Sequence, residues 1–537
     1  MDECTETVME ERQEKETKCN LRDAISRRYQ ICFISMTGCM FVLAMRANLG
    51  FAIVCMVIPS NATSLIREPN LSQYSPWIGN DSAFVPINFS IVENYRMCGS
   101  EAMSAKSLIG QGGEFTWDRS LQSKLLASFY FGYIVTQIPG GWLARRYGSR
   151  DVIGYSFILL VVATILFPVA SRAHTYLSFA LRVVAGLASG MVFPAMSCLW
   201  GRWAPPLERS KLFAIQQLGT FRHSSWQRTG PIHLRILCDY GFDNGWGSIF
   251  YVIGLCGLAW VVSWFLVVHD SPSRHPKISD QERQFIERAI GDREAAWSKD
   301  VKTPWRKLLT SSAVWAGVVA HTGTNWTVAT LLTGLPTYMK EVLAFDIKQN
   351  GVLSAVPALC GVSAIPLIGY SADALQERNL LSTQNTRRLF ESISGIGGAL
   401  FMMLTGFVTC ENRLLAVVYL SLGTVCLDAV KAGQGPNSLD IAPRFSGEIW
   451  GLSNTVATMP GMIAPIVNGV LTPNGTQEEW QTVFYLCAGF SLLKTVVFVI
   501  FVKGHVLPWA TGNVSVGTEI ASPMLTEVAL RTSVVTA

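Results

Sequence analysis

Charge is scarce in this sequence: Asp, Glu, Lys and Arg make up 15% of 537 residues, where a soluble domain carries about 25%. That scarcity excludes an ordinary soluble enzyme. With 43 Lys and Arg against 38 Asp and Glu the net charge is only +5, and half the residues are hydrophobic, which excludes disorder and nucleic-acid binding as the main task. The solvent for most of the chain is therefore lipid. No CxxC pair occurs among the 13 cysteines, and most of them (Cys32, Cys39, Cys55, Cys198, Cys256, Cys360, Cys426, Cys487) lie inside apolar runs. They read as small apolar side chains, with Cys98 the best placed for oxidation. No cleavable leader is expected either, because the first 30 residues mix acids and bases without an apolar core. The first span is expected to act as its own insertion signal.

Long apolar runs are what the sequence does have. Stretches of about 20 residues, enough to cross a bilayer, occur near 31–59, 124–144, 151–170, 176–200, 247–269, 312–334, 350–372, 388–408, 413–434, 447–471 and 482–503. The rhythm asks for a twelfth between Ser210 and Trp246, where Phe221 to Ile236 instead carries Arg222, His223, Arg228, His233 and Arg235. Three arginines at midplane would cost on the order of 8 to 10 kcal/mol. The expected architecture is thus an all-α membrane protein of two six-span halves with an atypical fifth span: a tail over 1–30, one half over 31–269, a linker over 270–311, the second half over 312–503, and a tail over 504–537.

Basic residues set the expected orientation. Arg27 and Arg28 precede the first span, Arg145, Arg146 and Arg150 follow the second, and nine Lys or Arg lie between Arg274 and Lys307. All three clusters are cytoplasmic if both termini are inside. The loop over 60–121 is then luminal or extracellular, where its four glycosylation sequons at Asn61, Asn70, Asn80 and Asn88 can be used. Asn474 falls in a shorter luminal loop, whereas the matches at Asn325 and Asn513 read as chance. Within the linker, Ser279 to Ile290 has the pattern of an amphipathic helix. The halves also repeat: Gly141-Trp142-Leu143-Ala144-Arg145 is echoed 228 residues later by Gly369-Tyr370-Ser371-Ala372-Asp373. Parallel repeats of this kind are a transporter arrangement.

Lone charges inside spans are functional candidates. Arg46 is the single charge between Ile31 and Pro59, Arg182 stands alone in the fourth span, and Asp428 and Lys431 sit three apart in the tenth. Arg182 can either serve a substrate pathway or brace the Gly186/Gly190 face against a neighbouring helix. Tyr133 and Gln137, four apart on the second span, and Asn454, Thr455 and Thr458 on the eleventh offer polar groups to a substrate or to interhelical bonding. Pro139, Pro460 and Pro465 mark expected bends.

Several ordered segments then carry a resemblance: FYFGYIVTQIPGG from Phe129, RVVAGLASGMVFPA from Arg182, WAPPLERSKL from Trp203, LPTYMKEV from Leu335, LDIAP from Leu439 and WQTVFY from Trp480. Over roughly residues 25 to 510 the chain resembles solute carrier family 17 of the major facilitator superfamily, the family of sialin, the vesicular glutamate transporters and the type I sodium/phosphate cotransporters. The resemblance implies a carrier of small organic anions, working by alternating access and not as an enzyme. It needs no cofactor beyond a transmembrane ion gradient, with H+ or Na+ as the co-transported ion and a lysosomal, vesicular or plasma membrane as the location. It also implies that Arg46, in the pattern R-x-N with Asn48, binds the anion. GWLARRYGSR, from Gly141 to Arg150, is similar to the superfamily loop signature G-x-L-A-D-R-x-G-R-R, which makes Gly141, Arg146, Gly148, Arg150 and the repeat's Asp373 gating candidates. Arg145 stands where that signature has Asp. The family's fourth-span pattern R-x-x-E-G-x-x-E-G reads Arg182, Ala185, Gly186, Ser189, Gly190 here, so the usual proton-coupling acids are absent. Asp428, and His321 on the seventh span, remain as ion-coupling candidates. Two alternatives stay open, a sodium-dependent phosphate cotransporter and an inactive carrier-fold scaffold.

Overall fold

A computed structural model describes residues 26–57, 113–219, 237–238, 241–290, 301–343, 345, 353 and 355–510. The four sequons from Asn61 to Asn88, Cys98, and the anomalous stretch from Phe221 to Ile236 lie outside the described residues.

The apolar runs are helices. The first half contributes α1 (Arg27–Met56), α2 (Arg119–Tyr147), α3 (Ser149–Ala173), α4 (Thr175–Trp203), a fifth helix described over 209–219 (α5), and α6 (Trp246–Val267). The second contributes α7 (Ser312–Glu341), α8 (Val356–Glu377), α9 (Thr383–Gly406), α10 (Arg413–Lys431), α11 (Ser446–Leu471) and α12 (Gln477–Phe501). Eight helices are long and apolar enough to cross a membrane among the described residues. Their ends obey local rules. Asp118 caps α2 by accepting from Leu121 N, and Thr476 and Glu479 form a reciprocal capping box at α12. Gly148, at φ +110°, makes the sharp turn between α2 and α3 that an L side chain rarely adopts.

Each half packs around its own core. Phe129, Phe157, Trp200, Trp203, Trp260 and Trp264 fill the first, and Tyr338, Met402, Trp480 and Phe484 fill the second. The outside is as apolar as the inside, with Leu266 76% and Val470 73% exposed. In water that area would be unfavourable by about 25 cal/mol per Å²; against lipid tails it is at no disadvantage. Glycine sets how closely the helices approach. A Cβ on Gly186 would lie 2.0 Å from the Phe129 carbonyl oxygen, and one on Gly132 would lie 2.1 Å from that of Val183. The small-residue face of α4 therefore seats on α2 at backbone contact. The linker helix (Asp280–Ile290) forms where amphipathicity suggested, and docks on the start of α1 through Glu282, which accepts from Ser26, from Arg27 N at 2.9 Å and from Arg28.

One expectation is corrected. Cys55 does not act as an apolar side chain: it forms a disulfide with Cys238 across 183 residues of sequence, joining the end of α1 to the segment before α6. Both lie at the end of the helices far from the linker, beside a polar cluster. There Glu114 accepts from Arg172 Nε at 2.7 Å, Asn244 at 3.1 Å and Trp246 Nε1 at 3.0 Å, while Arg172 also pairs with Asp243 at 2.8 Å. Arg172 holds the Glu114 carboxyl down at about 2.

Candidate functional site

The packing of α4 on α2 decides what the two lone arginines meet. Arg46, half-buried on α1, donates from Nη2 to the Tyr130 hydroxyl at 2.8 Å and stacks over the rings of Tyr130 and Tyr133, at 4.7 and 5.4 Å. Arg182, buried on α4, donates from Nη2 to the Arg46 carbonyl at 3.1 Å and lies 5.1 Å from the Phe129 ring. Its Nε has no partner among the described residues. Two guanidinium groups thus share an aromatic cradle, and among the described residues no carboxylate forms an ion pair with either. Tyr133 reaches across to the other half, where its hydroxyl accepts from Asn454 Nδ2 at 2.9 Å. Gln137, one turn further along α2, is fully buried with both amide atoms unpartnered among the described residues. Asn48 is placed differently: residues two apart do not share a helix face, and its side-chain Oδ1 accepts from Leu49 N at 2.7 Å.

The coupling candidates lie in the second half. His321 Nδ1 is 2.9 Å from Ser453 Oγ, joining α7 to α11, with the ring 5.3 Å from Trp450. Asn325, one turn on, bonds the Ala457 carbonyl at 2.7 Å, so this sequon match is an interhelical brace. Asp428 is buried against Gly361 of α8. Lys431 feels the charges of Asp428, Glu391 and Lys494. Sequence reading passed over the last two, which form a fully buried ion pair at 2.6 Å between α9 and α12. Glu391 also accepts from Gln434 N at 3.2 Å where α10 breaks, and α9 relaxes into a π turn over Ile393–Gly397 just beyond it. The signal that singled out Arg46, a lone charge in an apolar run, was present at Lys494 too.

At the linker end the halves are locked together. Asp373 accepts from Ser210 N and Lys211 N at 3.2 and 2.8 Å. Asp440 takes Arg209 at 3.1 Å and Arg387 at 2.7 Å, and Arg387 also donates to Ser210 Oγ at 2.7 Å. Ser197 and Ser446 exchange hydroxyl-to-carbonyl bonds of 3.3 and 3.0 Å. Of the gating candidates, Gly141 and Asp373 lie on this seam. A Cβ on Gly141 would fall 2.3 Å from the Gly447 carbonyl carbon. Arg146 is exposed beside Trp142 and Tyr147, while Gly148 and Arg150 meet Asp270 at the start of the linker and not the other half. The crossing residue in that loop is Arg145, whose Nε pairs with Glu448 of α11 at 2.7 Å. The linker end of the pathway is closed.

The Major Facilitator Superfamily model matches residues 82–465. Sialin of Ovis aries is 38% identical over 493 residues, covering 91% of this chain and 92% of its own, and sialin of Homo sapiens is 37% identical over 492. Vesicular glutamate transporter 2 of Homo sapiens is 34% identical over 490 residues, 90% of this chain and 76% of its own. Among solved structures a proton:xylose symporter superposes with a TM-score of 0.62 at 13% identity, covering 89% of this chain and 96% of that one. A bacterial homologue of the iron transporter ferroportin in an outward-facing state gives 0.55 at 13% identity, covering 88% and 99%. The twin arginines, the seam between repeated halves and these likenesses converge: the chain is a multi-pass membrane protein of the Major Facilitator Superfamily, and it belongs to the solute carrier 17 family of sialin and the vesicular glutamate transporters.

Proposed function

We propose that this protein is a secondary active transporter of small organic anions, sialate-like acidic sugars or glutamate-like amino acids, working by alternating access. One observation carries the reading: Arg46 and Arg182 meet in an aromatic cradle where, among the described residues, neither has a carboxylate partner. Two desolvated cations attract an anion strongly. Hydroxyl and π partners hold the guanidinium groups in place without neutralising them, so a carboxylate can bind and also leave. Tyr133, Asn454 and Gln137 lie where the halves meet, and can read the polar remainder of the solute. The fourth span carries Arg182 but none of the family's acids, so coupling is assigned elsewhere. Asp428 and His321 are the groups we propose for it, with a proton gradient or the membrane potential as the driving force. The sodium-dependent phosphate and inactive-scaffold readings are not the ones the sialin and glutamate-transporter relatives favour.

The linker end is assigned to the cytoplasm, with both termini there, because the basic clusters gather on it. The disulfide at the opposite end supports this, since disulfides persist on the oxidising luminal or extracellular side. A lysosomal, vesicular or plasma membrane fits equally. The test is uptake of labelled sialate and glutamate into proteoliposomes under an imposed pH gradient, an imposed potential, or sodium alone. Arg46→Ala is expected to abolish uptake in a protein that still folds. Uptake by Arg46→Ala equal to that of the parent would sink the proposal, and a strict sodium requirement would reinstate the phosphate reading.

A further inference from the structure

The two halves offer each other the same helix-end position with opposite charge. Arg145 and Asp373 are each fifth in the repeated pentapeptides at the ends of α2 and α8, and each meets the beginning of a helix from the other half. For Asp373 the arrangement is self-explanatory. The start of α5 presents free N–H groups and the positive end of the helix dipole, and the carboxylate accepts from two of them, Ser210 N and Lys211 N. For Arg145 the same arrangement is unfavourable. A guanidinium has nothing to accept with, the dipole at the start of α11 repels it, and Arg444 on the preceding turn adds a second positive field. Gly141 and Gly447 nevertheless hold the two backbones in contact, so the cation has no room to withdraw.

Glu448 resolves this. It lies in the first turn of α11 and pairs with Arg145 Nε at 2.7 Å, the two side chains being 0% and 5% exposed. The other donors of Arg145 turn to the linker, Nη1 to the Val301 carbonyl at 2.7 Å and Nη2 to Thr303 Oγ1 at 2.8 Å. Thr303 Oγ1 in turn donates to Glu448 Oε1 at 3.1 Å. We propose that Arg145, Glu448 and Thr303 form a three-part latch in which the interhalf linker is strapped across the closed cytoplasmic seam, with Glu448 supplying the negative charge that makes a cation tolerable at a helix start. These are positioning residues, which act on the gate and not on the solute. Opening to the cytoplasm then requires the linker to come away with the broken ion pair. The inference rests on the alternating-access reading, but its test needs no substrate.

Cys198 reports the seam. It is fully buried, and a Cβ added to Gly447 would lie 3.2 Å from its own Cβ. The rate at which a membrane-impermeant maleimide, applied from the linker side, modifies the Cys198 peptide measures how often the seam opens. Glu448→Gln is expected to raise that rate about tenfold or more. Adding Arg145→Asp to Glu448→Gln is expected to return it to within about twofold of the parent, because an acid at position 145 can take the N–H groups of α11 as Asp373 takes those of α5. A residue that only supported folding would lower the melting temperature in both variants without this reversal. A double variant as open as Glu448→Gln, or Glu448→Gln labelled at the parent rate, overturns the proposal. Should Glu448→Gln not fold, Thr303→Val decides the matter: faster labelling supports the strap, and the parent rate refutes it.

Discussion

At the scale of single residues, chemistry beyond charge separates Arg46 from a generic cation. Its planar group bonds Tyr130 while lying over three rings, those of Phe129, Tyr130 and Tyr133, a geometry an ammonium cannot reproduce. Arg46→Lys keeps the charge and is expected to raise KM for uptake by about tenfold or more, measured in the same proteoliposomes. An unchanged KM would mean that the charge alone matters. Glu114 gives a second prediction, about acidity. Its folded carboxyl is held at about 2, mainly by the hydrogen bonds from Arg172. What it contributes is present above the ordinary carboxylate range and is lost only as the pH falls through that value. The melting-temperature difference between parent and Glu114→Gln should therefore be the same at neutral pH and at about pH 5. Solvent exposure keeps that difference small. A difference that vanishes at the lower pH would contradict the assignment. Arg46 was legible in the sequence because an isolated charge in an apolar helix is conspicuous. Glu448 was not, because an acid near the start of a helix ordinarily means only a favourable dipole.

Among helices, backbone proximity and buried pairs decide what is tolerated. Gly186 carries the seating of α4 on α2, so Gly186→Val drives a side chain into the Phe129 carbonyl. Overpacking of this kind costs about 1 to 3 kcal/mol or more, and it should lower the melting temperature and carry Arg182 out of reach of Arg46. Gly461→Ala is the control, having nothing within 4 Å. The Glu391–Lys494 pair separates differently. Losing one partner leaves a buried charge and costs about 3 to 5 kcal/mol, whereas replacing both with apolar residues of similar size is close to neutral. Glu391→Gln alone should thus melt well below the double variant Glu391→Leu/Lys494→Met, and the opposite order would show the pair to be less desolvated than its geometry indicates. This pair was hard to foresee because its members lie 103 residues apart, and no local pattern links α9 to α12.

For the molecule as a whole, the repeat carried the most information. The pentapeptides at Gly141 and Gly369 marked equivalent helix ends, and both lie on the seam between the halves. What the repeat could not reveal was sign, since Arg145 stands where the signature has Asp and its partner Glu448 belongs to a helix of the other half. Nor could spacing reveal the disulfide, because Cys55 sits inside an apolar run, Cys238 follows the charged stretch ending at Ile236, and α2, α3, α4 and α5 fall between them. That crosslink has a consequence for how the chain withstands proteolysis. It closes a covalent ring that includes the whole of residues 58–112. A single cut anywhere in that stretch would leave both pieces on one molecule, migrating together on a non-reducing gel and separating only after thiol treatment. A chain nicked there would keep the end of α1 tethered to the segment before α6.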